Sequence, residues 1–289
     1  MVTTDAQRVR GYRVLARLLE DGAAGVPAEI AAVFDASADP GELRSQYVAA
    51  FDLGVPPYAS VFLESDRCVG GQVTAALADR METGAATGPA ACHLAVQLEH
   101  VARRLEAGDG EEAVAFLREA LLAWLPALAV VLEDQPVPFW RTVVSQALDL
   151  AADHSRKPEA SAAGMRPAVV PPPLGDASGL SDIAAWLATP SAVGTFISDA
   201  DVVAIGRILR VPRGFGTRAQ RIETLLRSAA DYGCVASTAD ALADLLSRRR
   251  QSLLVVAQTH ALAELVAPWV ERLGGGLGVL QALRDGSTD

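Results

Sequence analysis

Asparagine is absent from the 289 residues and lysine occurs once, at Lys157. That lysine stands in Ser155-Arg156-Lys157-Pro158, away from any glycine-rich turn, so a phosphate-cradling P-loop is excluded. Its place at the edge of a Pro/Ala-rich stretch gives no support to a lysine Schiff base with a pyridoxal-type cofactor. Cysteine is scarce: Cys68, Cys92 and Cys234 are odd in number, widely spaced and form no C-x-x-C. They argue against a disulfide scaffold or a four-thiolate zinc site and fit a reducing compartment. No G-x-S-x-G elbow or H-E-x-x-H helix occurs, and no G-x-G-x-x-G follows a strand pattern.

What is present is acidic and apolar. With 25 Lys+Arg against 35 Asp+Glu the formal charge is −10, a field that repels phosphate backbones and favours basic partners, so nucleic acid is not expected. Residues 1–10 are polar and contain no secretory h-region. The longest apolar run, Ala120 to Leu132, has 13 residues, too few to span a bilayer. These features predict a soluble, cytoplasmic protein without stable membrane insertion.

Apolar residues recur at helical spacing, and alternating β-branched runs are nearly absent. Tyr12, Leu15, Ala16 and Leu19 form one stripe, and Leu94, Leu98, Val101 and Leu105 a second. Leu117, Leu121, Trp124 and Leu128 form a third, bent or interrupted near Pro126. Trp140, Val143, Val144, Ala147, Leu148 and Ala151 form a fourth. Pro158, Pro167 and Pro171 to Pro173 then mark residues 156–178 as an extended linker. Beyond it, Ser198-x-x-Asp201 and Thr217 open helices, Gly233 closes one, and the pattern stays helical from Thr238 to Leu273. A kink is expected at Pro268 and a stop at Gly274-Gly275-Gly276. The fold class is therefore all-α: a helical domain over residues 1–155, the linker, and a C-terminal helical domain over 179–289.

Candidate chemistry is thin. His93, Gln97 and His100 share one helical face, but two turns, about 10 Å, separate the imidazoles, too far to bind one metal ion together. Cys92 beside His93 points about 100° away from it, which suits a packed thiol better than a nucleophile–base pair. Glu111-Glu112 reads as a solvated helix start, and Arg248-Arg249-Arg250 as a solvated face. The segment Phe51-Asp52-Leu53-Gly54-Val55-Pro56-Pro57-Tyr58-Ala59-Ser60-Val61-Phe62 demands more explanation. Paired prolines stiffen an aromatic, non-helical stretch that either plugs the core or lines a groove.

That segment and three others resemble the TorD/DmsD/NarJ family of cytoplasmic chaperones for molybdenum-containing redox enzymes. Phe51 and Pro57-Tyr58-Ala59-Ser60 match the family's phenylalanine followed by P-[YF]-x-S. Ala91-Cys92-His93-Leu94 with Leu98 is similar to its P-D-H-[LI] segment and leucine-rich helix. Phe116, Leu121 and Trp124 correspond to F…L-x-x-W, and Pro138-Phe139-Trp140 to P-F-[YW]. Order and spacing agree over residues 7–152. Cys92 replaces the family's aspartate, Pro89 is displaced upstream, and Ala120 replaces a histidine.

The resemblance implies a TorD-like bundle that acts without making bonds and needs no cofactor or metal. Its partner would be the catalytic subunit of a molybdopterin-dependent oxidoreductase, with or without a twin-arginine leader. The chaperone would hold the leader peptide or apo subunit until cofactor insertion, before export or assembly. Phe51, Pro57, Tyr58, Ser60, His93 and Leu94 carry over as the leader-contacting set. Loss of the aspartate at Cys92 is expected to remove an anionic partner for a leader's arginines. Two other readings stay open: an adaptor acting through residues 179–289, and a hydrolytic or metal-dependent enzyme using His93, Cys92 or Cys234. A domain-swapped homodimer is compatible with the linker.

Overall fold

Thr4 opens the first helix: its hydroxyl accepts from the Gln7 N–H while the Gln7 side chain accepts from the Thr4 N–H. The computed structural model describes residues 4–22, 32, 34, 39–65, 69–81, 90–156, 164–175 and 178–286. Cys68, Pro89, Lys157 and Pro158 lie outside the described residues. In the N-terminal half the helices are α1 (Asp5–Asp21), α2 (Pro40–Tyr47), α3 (Ala59–Leu63), α4 (Gly71–Arg80), α5 (Leu94–Glu106), α6 (Gly110–Glu119), α7 (Leu125–Glu133) and α8 (Pro138–His154). The C-terminal half holds α9 (Leu180–Leu187), α10 (Pro190–Val193), α11 (Asp199–Leu209), α12 (Arg218–Asp231), α13 (Val235–His260) and α14 (Ala263–Asp285). Among the described residues there is no strand, so the all-α expectation holds.

The four N-terminal stripes face one core, and every stripe residue named above is buried. α1 lies against α5 and α8: the Tyr12 hydroxyl stands 3.1 Å from His154 Nδ1, and Arg13 makes a two-pronged contact with Glu106. The third stripe is split between two helices. Pro126, in the first turn of α7, has no N–H to continue the α6 ladder, so a 3₁₀ turn (Leu121–Ala123) intervenes and the axes meet at 46°. Among the described residues no single helix is long and apolar enough to cross a membrane; this bent pair passes only when joined, and the apolar side chains of α7 are buried.

The described part of the Pro-rich segment runs extended against the body. Met165 N–H donates to Glu119 O at 2.6 Å and Ala168 N–H to Leu63 O at 2.8 Å, satisfying carbonyls at the ends of α6 and α3. Arg272 on α14 clamps the same stretch, donating to Pro167 O at 2.7 Å and to Ser191 O at 2.6 Å. The two halves thus share one buried core. Phe62 packs on Trp124, Phe196 and Trp269, and the Trp269 indole N–H donates to Ala123 O at 2.8 Å.

Three sequence expectations fail in the C-terminal half. The helical run breaks at Ala261, which takes the left-handed conformation (φ 57°), and α14 then continues through Pro268 and the glycine triplet to Asp285. Gly276 permits the close packing of α14: a Cβ there would stand 2.9 Å from Leu246 Cδ1 and 3.0 Å from Val193 Cγ2. Arg249, read from sequence as part of a solvated face, is 1% exposed. Its guanidinium donates to both Asp201 carboxylate oxygens (3.0 and 2.8 Å), to Asp134 Oδ2 (3.2 Å) and to Phe196 O (2.7 Å).

Candidate functional site

The aromatic segment begins as a π-helical turn, Val48–Asp52, in which Leu53 N–H donates to Val48 O and Val55 N–H to Ala50 O. Gly54 is required there because a Cβ would lie 2.4 Å from the carbonyl oxygens of Ala49 and Ala50. Pro56 and Pro57 then carry the chain out extended until Tyr58, which forms an antiparallel bridge with His93. The seam is closed from the other side by Leu94 N–H, which donates to Pro57 O at 2.9 Å. A short backbone link therefore ties the aromatic loop to the start of α5.

The six sequence-selected residues divide between core and surface. Phe51 is buried edge-on to Tyr47 (5.1 Å between ring centres) and Trp140 (5.8 Å). Pro57, Ser60 and Leu94 are also buried, and the Ser60 hydroxyl accepts from Gly70 N–H at 3.2 Å. Tyr58 and His93 are half-buried and meet edge to face at 4.8 Å. His93 does not sit inside the helix: it is the N-cap of α5, its Nδ1 accepting from Ala95 N–H at 3.2 Å. Burial lowers its pKa from 6.5 to about 4, which keeps the imidazole neutral and able to accept at pH 7. The Tyr58 hydroxyl is shifted upward, chiefly by burial and then by Cys92 and the negative charge of Asp52.

The other polar residues of this region work inside the core. Gln97 donates to Cys92 O at 3.0 Å and accepts from the Trp124 indole at 3.3 Å, while His100 packs on Phe116 at 4.5 Å. Cys92 is wholly buried, its sulfur 3.4 Å from the Ser60 oxygen, so position 92 presents nothing to the surface. Among the described residues no group of three or more His, Cys, Asp and Glu side chains could hold a metal ion.

Two grooves flank the seam. One, of about 550 Å³, runs between α1 and α5, lined by Val14, Ala16, Ala95 and Val96 and by the charged side chains of Arg13, Arg17, Arg103, Glu20 and Glu99. The other, of about 390 Å³, opens between the aromatic loop (Leu53, Pro56, Val61) with Val69 and the C-terminal half (Ala188, Phe196, Arg218, Ala219). Sequence reasoning singled out neither Leu53 nor the C-terminal wall. Leu53 carried a signal, being a large aliphatic side chain in a turn that has no room to bury it, and it is 73% exposed. The wall had none, because its residues come from three separate elements.

Residues 17–130 match the family model described as "Nitrate reductase delta subunit". No curated protein and no solved structure matches the chain. The match takes in α2 to α6, the last five residues of α1, most of α7, and all six residues selected at the seam. Over residues 17–130, less than half of its length, the chain is thus similar to the nitrate reductase delta subunit family.

Proposed function

We propose that the surface around Tyr58 and His93 takes up the leader peptide of the client's catalytic subunit and holds that subunit, in its apo form, until the molybdopterin cofactor is inserted, before export or assembly. In this reading residues 1–155 are the peptide-binding unit, 156–178 the connection and 179–289 a helical extension. The observation that carries it is the seam itself. Two half-buried rings are fixed by a backbone bridge, with Phe51, Pro57, Ser60 and Leu94 packed behind them, so binding requires little ordering of the receptor.

The remaining features fit the same partner. The α1–α5 groove reaches the N-terminal turn of α5 beside His93 and has the mixed apolar and charged lining that suits one face of an amphipathic helix. The net charge of −10 favours a basic peptide electrostatically. A leader that is disordered when free pays ordering entropy on binding, which sets micromolar affinity as the expected range and keeps release fast. Isothermal titration of the intact chain with the N-terminal peptide of its nitrate reductase catalytic subunit tests the reading. Saturable binding that Tyr58→Ala weakens supports it, and the absence of heat at any concentration overturns it.

A further inference from the structure

Of the charged groups around the seam, Asp52 stands apart. It closes the π-helical turn with an exposed side chain, and among the described residues it has no ion pair and no hydrogen bond. Neighbouring carboxylates are engaged: Asp199 with Arg221 at 3.1 Å, Glu99 and Glu106 with Arg13. Asp52 is also close enough to the hydroxyls of Tyr47 and Tyr58 for its charge to disfavour their ionisation. The next residue, Leu53, is 73% exposed on the rim of the 390 Å³ cleft, and Val69, on the same lining, is 41% exposed.

On the far wall of the cleft the Arg218 guanidinium lies 3.6 Å over the Phe196 ring and donates to Ala188 O, and Asp199 lines the same wall, so that wall carries both signs. An apolar side chain entering the cleft meets Pro56, Val61, Val69 and Ala219. We infer that Asp52, the face of Tyr58 and this cleft form a subsite for a basic side chain followed, within one helical turn, by a bulky apolar one in the client's leader. The basic group pairs with the Asp52 carboxylate and lies over the Tyr58 ring, and the apolar group enters the cleft shared with the C-terminal half. The C-terminal extension thereby takes part in reading the peptide. This assignment rests on the leader-binding function proposed above.

The test is a double-mutant cycle by isothermal titration. Its two probes are the N-terminal peptide of the nitrate reductase catalytic subunit and the same peptide with every arginine and lysine replaced by glutamine. Asp52→Asn, an exposed substitution that leaves the core untouched, should weaken the native peptide about three- to fivefold and leave the neutralised peptide unchanged. Leu53→Ser should weaken both peptides alike. If wild type binds and Asp52→Asn weakens neither peptide, or both equally, the subsite is overturned while leader binding stands. If wild type binds neither peptide, leader binding itself falls and the subsite with it.

Discussion

The seam of Tyr58 and His93 and the junction around Arg249 solve the same problem, joining distant parts of the chain, by opposite means. At the seam the connection is made by backbone groups and neutral rings: a bridge, the Leu94 to Pro57 hydrogen bond, and an imidazole kept uncharged by burial. At the junction it is made by a buried charge, Arg249, bound by two carboxylates and a carbonyl from three separate segments. A neutral seam can stay half-open to a partner at modest cost. A buried guanidinium must be fully satisfied or expelled, so it locks the C-terminal half onto Asp134 of the N-terminal half.

Removing the charge should break that contrast most severely. Arg249→Ala leaves Asp201 and Asp134 without their cation and should lower unfolding free energy by about 3 to 5 kcal/mol in urea titrations. Phe51→Ala comes next: it opens a cavity among Tyr47 and Trp140 and should cost about 3 to 5 kcal/mol, with peptide affinity falling only as far as the fold is lost.

The seam should respond to acid through His93. Because the folded pKa of His93, about 4, lies below its unfolded value of 6.5, the unfolded chain takes up the proton first. His93 then contributes stability that is complete above about pH 6.5 and is lost as pH falls towards 4, by up to about 3 kcal/mol. His93→Asn, which can keep the helix cap, should flatten this part of a stability-versus-pH curve. Tyr58→Ala should sharpen the comparison from the other side, weakening leader binding by about 1 to 3 kcal/mol while circular dichroism stays unchanged. The smallest effect expected is the three- to fivefold loss with Asp52→Asn.

How much was readable beforehand follows the same division. The helices of the N-terminal half declared themselves because each has one apolar stripe and faces one core. Ser198 with Asp201, and Thr217, marked helix starts that the structure places at the first residues before α11 and α12. The glycine triplet misled because its conformational freedom was weighed without the close approach of Leu246 and Val193 that Gly276 serves. Arg249 misled because it was grouped with Arg248 and Arg250, which are exposed. Its place on the stripe of Leu242, Leu246, Leu253 and Val256 was the signal that it turns inward. At the candidate site, the motif residues were legible as a group, but which of them face solvent was not. Burial at Phe51 depends on Trp140 of α8, distant in sequence, that at Ser60 involves the Gly70 turn, and Leu94 is tied to Pro57 across the bridge.

Hydrogen exchange on the intact chain, with and without saturating leader peptide, tests the central claim most directly. If the seam is the docking surface, amides of residues 52–62 and 90–99 should gain protection while those of α13, around Arg249, stay as they were. Protection confined to α13 and α14, with the seam exchanging at its free rate, would contradict it.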